Sequence, residues 1–298
     1  MLTDFQIGVL GGDARQLQII KKLCDADATL YLVGFEELDE EIPGAIKTEM
    51  DDIPTGELDA VILPVPGTDQ EGYLDSHFSN YSPQLTKEWV QKLNRSCTIF
   101  TGITRDYLTD LCEESNLQLV PLFNRDDVAI YNSIPTVEGT VMMAIQYTDF
   151  TIHNSNVVTL GFGRTGKTVA RIFQALGANV KVGARRQSDL ARIFEMGFEP
   201  FHINDLSDHV EECDILINTV PHPIVNVKVI QNMQLHSIII DLASKPGGTD
   251  FRYAKRRGIK AILAPGLPGM VAPKTAGDIL ASVISQILLE EKGERGNY

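Results

Sequence analysis

Short apolar runs alternate with amphipathic helical stretches along almost the whole chain, and that rhythm leaves little freedom in the choice of fold. Strands that are apolar throughout have both faces buried, so they belong to a parallel sheet with helices on each side. In the first half FQIGVLG, ATLYLVG, LDAVILPV, CTIFTGI and LQLVPLF read as strands, with helical patterns over Arg15–Asp25, Pro83–Leu93 and Asp106–Ser115. The rhythm restarts at Asn156 with NVVTLGFG, NVKVGAR, EPFHI, DILINTV, SIIIDLAS and IKAILAP. Between the halves, Pro135–Thr148 opens on a helix-compatible proline and continues with apolar residues at three- and four-residue spacing, which predicts a linking helix. A length of 298 residues divided by about 150 also gives two domains.

The expected organisation is α/β. An N-terminal domain over 1–134 binds substrate or partner, a linking helix covers 135–150, and a dinucleotide-binding domain covers 151–273. A C-terminal helix over 274–298 carries Leu280, Val283, Ile284, Ile287 and Leu288 on one face and is expected to return to the first domain. The Met142-Met143 pair and Trp89 read as packing residues, and EEKGERGNY as a solvated tail.

Charge and cysteine content narrow the function. Against 26 Lys and Arg stand 40 Asp and Glu, a net of −14, which repels nucleic acid and anionic membrane. No apolar run approaches the ~20 residues of a membrane helix, and the acidic start MLTDFQIGVLGGD lacks the basic region of a signal peptide, so a soluble cytoplasmic protein is expected. Cys24, Cys97, Cys112 and Cys213 are scattered with no CxxC pair, so neither a metal site nor a disulfide framework is predicted.

The segment GFGRTG places Gly161, Gly163 and Gly166 in a G-x-G-x-x-G pattern between a β-branched run and a helical stretch. In a Rossmann-like domain the first glycine makes a tight turn, the second admits the pyrophosphate, and the third lets helix pack on strand. The amides of the first helical turn, which includes Arg164 and Thr165, then face the phosphates. A ligand-free glycine turn is the plain alternative. The next strand ends in Gly183-Ala184-Arg185-Arg186, with no acid before Asp189. An NAD site carries Asp or Glu there, whereas guanidinium groups match a 2′-phosphate, so NADP is favoured unless Arg185 and Arg186 are ordinary solvated charges. Later strand ends, Thr219-Val220-Pro221 and Ala243-Ser244, are expected to rim the same cleft, while His222 between prolines reads as solvent-facing.

Several segments together resemble the A-type subunit family of dipicolinate synthase. They are VLGGDARQLQIIKKL, RDDVAIYNSIPTVEGTVMMAI, LGFGRTGKTVARIFQALGANVKVGARR, DLASKPGGTDF and APGLPGMVAPKTAG, and they span essentially the whole chain. The resemblance implies an NADP-dependent dehydrogenase subunit converting 4-hydroxy-tetrahydrodipicolinate, or its dihydro form, to pyridine-2,6-dicarboxylate. It also implies a flavoprotein-like B-type subunit as partner and expression in the mother cell during sporulation; a homo-oligomer is expected too. The PTVEG stretch is similar to the hinge of D-2-hydroxyacid dehydrogenases, whose catalytic set has no clear counterpart here. A regulatory NADP-binding subunit, or a dehydrogenase of another small hydroxy or amino acid, stays open.

A dicarboxylate product calls for cationic groups or helix-start amides. Asp13 and Arg15 follow Gly11-Gly12 at a strand-to-helix turn, either as a substrate anion site or as a helix N-cap beside a surface arginine. Arg125, Asn132, Ser133 and Thr136 fall at the domain junction, with Asn132 and Thr136 as substrate contacts and Ser133 as a catalytic candidate. Glu138 is expected as a buried acid or base. Lys245, after the strand SIIIDLAS, is the remaining catalytic candidate, though KPGG also reads as a turn, and Lys274 is a weaker one.

Overall fold

Among the described residues, twelve short strands form two all-parallel sheets of six, one in each half of the chain. The computed structural model describes residues 1–295, divided into a first unit of Met1–Tyr131 with the segment from Ala272 onward, and a second of Asn132–Val271. The last residues of the expected C-terminal helix and tail, 296–298, lie outside the described residues.

The first sheet contains β1 (Gln6–Leu10), β2 (Thr29–Val33), β3 (Ala45–Lys47), β4 (Ala60–Ile62), β5 (Thr98–Thr101) and β6 (Gln118–Pro121), ordered β3-β2-β1-β4-β5-β6. The second contains β7 (Asn156–Leu160), β8 (Asn179–Ala184), β9 (Glu199–His202), β10 (Ile215–Asn218), β11 (Ile238–Asp241) and β12 (Lys260–Leu263), ordered β12-β11-β10-β7-β8-β9. Each therefore has the doubly wound strand order, with its switch point beside the first strand, between β1 and β4 and between β7 and β10.

Period-two alternation sends side chains to both faces. Ile215 and Ile217 join one core with Val157, Ile238 and Ile240, while Leu216, Val158 and Ile239 join the other. The helices covering these faces are α1 (Ala14–Asp25), α2 (Lys87–Val90), α3 (Asp106–Ser115), α4 (Asp126–Tyr147), α5 (Arg164–Ala175), α6 (Gln187–Glu195), α7 (Val227–Asn232), α8 (Phe251–Arg257), α9 (Leu267–Val271) and α10 (Pro273–Arg295). Leu280, Val283, Ile284, Ile287 and Leu288 of α10 are buried in the core of the first sheet, where α10 packs along α1. Among the described residues no helix is long and apolar enough to cross a membrane.

Three expectations need correction. The helix expected from Pro135 begins at Asp126, so Asn132 and Ser133 lie within it, while Arg125 directly precedes it. Pro135 sits inside α4 and is buried, its missing amide tolerated because tertiary packing outweighs the lost bond. Nearby, the Thr136 hydroxyl donates to the Asn132 carbonyl at 2.7 Å and that of Thr140 to the Thr136 carbonyl at 2.8 Å. The helix read over Pro83–Leu93 contracts to Lys87–Val90, because the preceding residues pair instead: Leu74 N–H donates to the Pro83 carbonyl and Leu85 N–H to that of Gly72, both at 2.8 Å. Met143 is buried but Met142 is 42 % exposed, since successive helical residues point about 100° apart. Trp89 is buried in α2 and its indole donates to the Met50 carbonyl at 2.9 Å.

The contact of α1 with α10 depends on Gly277, where an added Cβ sits 2.5 Å from the Arg15 carbonyl oxygen and 2.6 Å from Gln18 Cβ. Gly277→Ala is expected to lower stability by about 1–3 kcal/mol despite the better helix propensity of alanine. Chemical denaturation checks this; an unchanged or higher midpoint shows that the two helices have room to separate.

Candidate functional site

The glycine turn after β7 has the geometry its spacing predicts. Gly161 adopts φ +93°, in the left-handed region, and Gly163 is the N-cap of α5 with no side-chain cap. A Cβ on Gly166 meets the Gly161 carbonyl oxygen at 2.1 Å, so only glycine lets α5 approach the strand. A Cβ on Gly163, by contrast, meets nothing within 4 Å. That open space above uncapped helix amides is what a pyrophosphate needs. The turn borders a cleft of about 610 Å³ lined by Gly161, Phe162, Gly163, Ala184, Arg185, Arg186, Asp189, Ile203, Thr219, Val220 and Pro221. Of the other cofactor candidates, Arg164, Thr165 and Gly166 form the first turn of α5, whereas Ala243 and Ser244 do not line this cleft.

The two arginines differ. Arg185 is exposed and pairs with no acid among the described residues. Arg186 instead donates from Nε to Asp189 Oδ2 at 2.8 Å and from Nη2 to Asp189 Oδ1 at 3.1 Å. Both arginines read alike as phosphate ligands from sequence; the correction is that Arg186 is engaged by an acid three residues on, which lines the same cleft.

Asp241, which ends β11, was not singled out from sequence; together with Asn218 at the end of β10 it builds the neighbouring loop. Asp241 is fully buried. Its Oδ1 accepts from Asn218 Nδ2 and Ala243 N, both at 3.0 Å, while Oδ2 accepts from Gly248 N at 2.8 Å and Thr249 Oγ1 at 2.6 Å. This carboxylate closes the 242–249 loop that carries the exposed Ser244 and Lys245. The available signal was an acid at the end of an otherwise apolar strand, SIIID, where burial demands a full set of donors. His222 is exposed, as read.

Most substrate and acid–base candidates are already engaged. Asp13 caps α1, accepting from Arg15 N at 2.9 Å, and forms a fork with the buried Arg15 through Nε–Oδ1 at 3.0 Å and Nη2–Oδ2 at 2.6 Å. Burial pushes the Asp13 carboxyl up, but the Arg15 side-chain and backbone hydrogen bonds and its charge outweigh this and hold it below the ordinary value. The adjacent Gly11-Gly12 turn is filled by the chain itself: Gly12 N donates to the Asp75 carbonyl at 2.7 Å and His77 N to that of Gly12 at 2.9 Å. Arg125 forms a second fork, donating from Nε to Asp127 Oδ1 at 3.0 Å and from Nη2 to Oδ2 at 2.7 Å. Ser133 is 2 % exposed and its hydroxyl lies 2.7 Å from Thr168 Oγ1 of α5, which makes it a pin between two helices. Glu138 is exposed, correcting its reading as a buried acid, and Lys274 is an exposed residue of the first turn of α10. Asn132 Oδ1 is buried without a hydrogen-bond partner. Burial pushes the Cys112 and Cys213 thiols up to about 11 and about 12, leaving no thiolate nucleophile there. Among the described residues no His, Cys, Asp or Glu group is placed to hold a metal.

Comparison with known proteins accords with this geometry. The family described as the N-terminal domain of the dipicolinate synthase A-type subunit matches residues 6–123, and the D-isomer specific 2-hydroxyacid dehydrogenase NAD binding domain matches 135–245. The A-type subunit of dipicolinate synthase from Bacillus subtilis is 55 % identical over 296 residues, covering 99 % of this chain and 100 % of that protein. The chain belongs to the A-type subunit family of dipicolinate synthase. Crystal structures of this subunit from Bacillus subtilis and Bacillus halodurans superpose with TM-scores of 0.95 and 0.94; the second is 54 % identical and covers 97 % of this chain and 99 % of its own. Within this family member the dehydrogenase match begins at Pro135, inside α4, and ends at Lys245, so it takes in the glycine turn and the first half of the loop that Asp241 closes.

Two expected outcomes concern Asp241 and the Arg15–Asp13 pair. Asp241→Ala leaves a set of donors without an acceptor and is expected to destabilise the second unit by about 3 kcal/mol or more, read by chemical denaturation. A loss below ~1 kcal/mol shows that the loop relaxes freely. Arg15→Gln is expected to lower stability at neutral pH. Because Asp13 titrates lower folded than unfolded, this contribution is present above the ordinary carboxylate value and disappears as pH falls through the folded one. The gap between variant and wild type should therefore narrow as pH falls below the ordinary carboxylate range; a gap constant with pH assigns Arg15 a packing role alone.

Proposed function

We propose that the chain is the NADP-dependent dehydrogenase subunit of a dipicolinate synthase, forming pyridine-2,6-dicarboxylate from dihydrodipicolinate or its hydrated 4-hydroxy-tetrahydro precursor. The observation that carries this reading is the open space over Gly163, in a cleft rimmed by the unpaired Arg185, within a chain of this family.

When bound, a nicotinamide dinucleotide supplies a two-electron acceptor for one hydride from the ring. The second hydrogen leaves as a proton, and aromatisation drives the step; the hydrated precursor first loses water. The chain's residues then bind, orient and exclude solvent. The amides of Arg164 and Thr165 receive the diphosphate, Gly161 and Thr219 shape the turn beneath it, and Arg185 meets the 2′-phosphate. We assign Lys245 to a substrate carboxylate, held by the loop that Asp241 closes, and Asn132 to a polar contact with the ring. A flavoprotein-like B-type subunit, implied by the family resemblance, is the proposed partner, and the mother-cell cytoplasm the proposed location. Exposed Ile134, Met142 and Ile145 on α4 support self-association.

A second cofactor reading has its own support. Asp189 lines the cleft and can accept a ribose 2′-hydroxyl, as in NAD enzymes. Titration of NADPH and NADH fluorescence separates the two. Gly163→Val is expected to abolish binding of both with the fold intact. Arg185→Ala should weaken NADPH by roughly tenfold or more and leave NADH unchanged, and Asp189→Asn, by releasing Arg186, should move preference further toward NADPH. An unmoved ratio in Arg185→Ala, with Asp189→Asn weakening NADH, establishes NAD instead. Assay of the purified chain alone with the lysine-pathway precursor tests catalysis; cofactor binding without turnover assigns the chemistry to the partner.

A further inference from the structure

The substrate candidates Arg15 and Arg125 are each committed to an aspartate of their own segment, so neither fork is free for a dicarboxylate. Elsewhere in the first unit, the carboxyl ends of β4 and β5 enclose a pocket of about 260 Å³ whose lining includes Thr68, Asp69, Asp75, Ser82 and Arg105. Pockets for drug-sized ligands start at about 300 Å³, so this one suits a smaller molecule.

Distinct features converge there. Arg105 is exposed and pairs with no acid among the described residues. It is also the N-cap of the ten-residue helix α3, and no side chain caps that helix, so the amides of its first turn have no side-chain acceptor. Thr68 is only 2 % exposed, yet its Oγ1 has no hydrogen-bond partner. A buried hydroxyl left unmatched is costly, and a ligand that accepts from it removes the cost. The two acids of the lining are partly spent. Asp69 Oδ1 accepts from Glu71 N at 2.9 Å and Tyr73 N at 2.8 Å, and Asp75 Oδ2 faces His77 Nε2 at 3.4 Å. The pocket lies beside the switch point of the first sheet, where ligands of open parallel sheets bind. The glycine turn at that switch point is filled by Asp75–His77, so a dinucleotide has no room while a small acid does.

We propose that this pocket is a carboxylate-binding site for the small diacid on which the chain acts, with Arg105 and the start of α3 neutralising the charge and Thr68 donating a buried hydrogen bond. The proposal rests on the dipicolinate reading above but not on the cofactor cleft.

The test is calorimetric titration of the full chain with pyridine-2,6-dicarboxylate, with and without saturating NADP, alongside an NADPH titration. Arg105→Gln is expected to weaken the diacid roughly 10- to 100-fold and Thr68→Val about 3- to 10-fold, both with unchanged NADPH affinity. Thr68→Val should also keep or raise the melting temperature of the free protein, because it removes an unsatisfied buried group. Wild-type diacid affinity in both variants overturns the proposal, as does a Thr68→Val protein that melts lower without ligand. Wild type that binds NADPH but no diacid overturns the proposal and leaves the cofactor reading standing; binding of neither overturns both.

Discussion

The closeness of α5 to β7 sets the conditions for everything around the dinucleotide cleft. Only hydrogen on Gly166 fits beneath the Gly161 carbonyl, so the helix starts directly over the strand end and its first amides open outward. Gly161 must be left-handed to bring the chain round, and Thr219 fixes the same point from β10 by donating its hydroxyl to the Leu160 carbonyl at 2.8 Å. From α5 the constraint passes to α4 through the Ser133–Thr168 contact, which explains why a hydroxyl read as catalytic is buried. Gly163 alone in this turn is spared a neighbour, and that asymmetry separates a binding turn from a packing turn.

Charge is distributed by a similar local logic. In a chain with net charge −14, several arginines have an aspartate two or three residues away: Arg15 with Asp13, Arg125 with Asp127, Arg186 with Asp189. Exposed pairs of this type contribute little stability, about 0–1 kcal/mol, but they quench the cation as an anion receptor. What distinguishes Arg105 and Arg185 is therefore not exposure but the lack of such a partner, and each stands at the rim of a pocket.

The strand sequences and the glycine spacing made the fold and the cofactor cleft legible, because both follow from local rules: unbroken apolar runs need two covered faces, and each glycine of Gly161-Phe162-Gly163-Arg164-Thr165-Gly166 has a steric reason. Interactions that depend on tertiary partners were not legible. Pro135 reads as a helix start because proline prefers that position, yet buried packing carries α4 through it. Arg185 and Arg186 read alike as cations, although Asp189, three residues after Arg186, is close enough in sequence to signal which of them is engaged. β3, with only Ala45–Lys47, is too short to rise above its surroundings, and Thr68 carries no signal at all until its burial without a partner is seen.

Two sheets with the same strand order thus arrive at different chemistry, and the difference lies in the connection that leaves the fourth strand of each. In the second unit β10 leads into the short Thr219–Pro221 turn, which leaves the space above Gly163 clear. In the first unit the long segment between β4 and β5 folds back over Gly11-Gly12. Asp75 takes the Gly12 amide and a Cβ on Gly11 meets the Asp75 carbonyl oxygen at 2.6 Å, so this turn is closed by the chain's own backbone while the space over Gly163 stays open. The same segment supplies Thr68, Asp69, Asp75 and Ser82 to the pocket beside Arg105. Closing one glycine turn and building a small polar pocket are therefore a single structural event, so the same doubly wound strand order carries a filled turn in the first unit and an open one in the second.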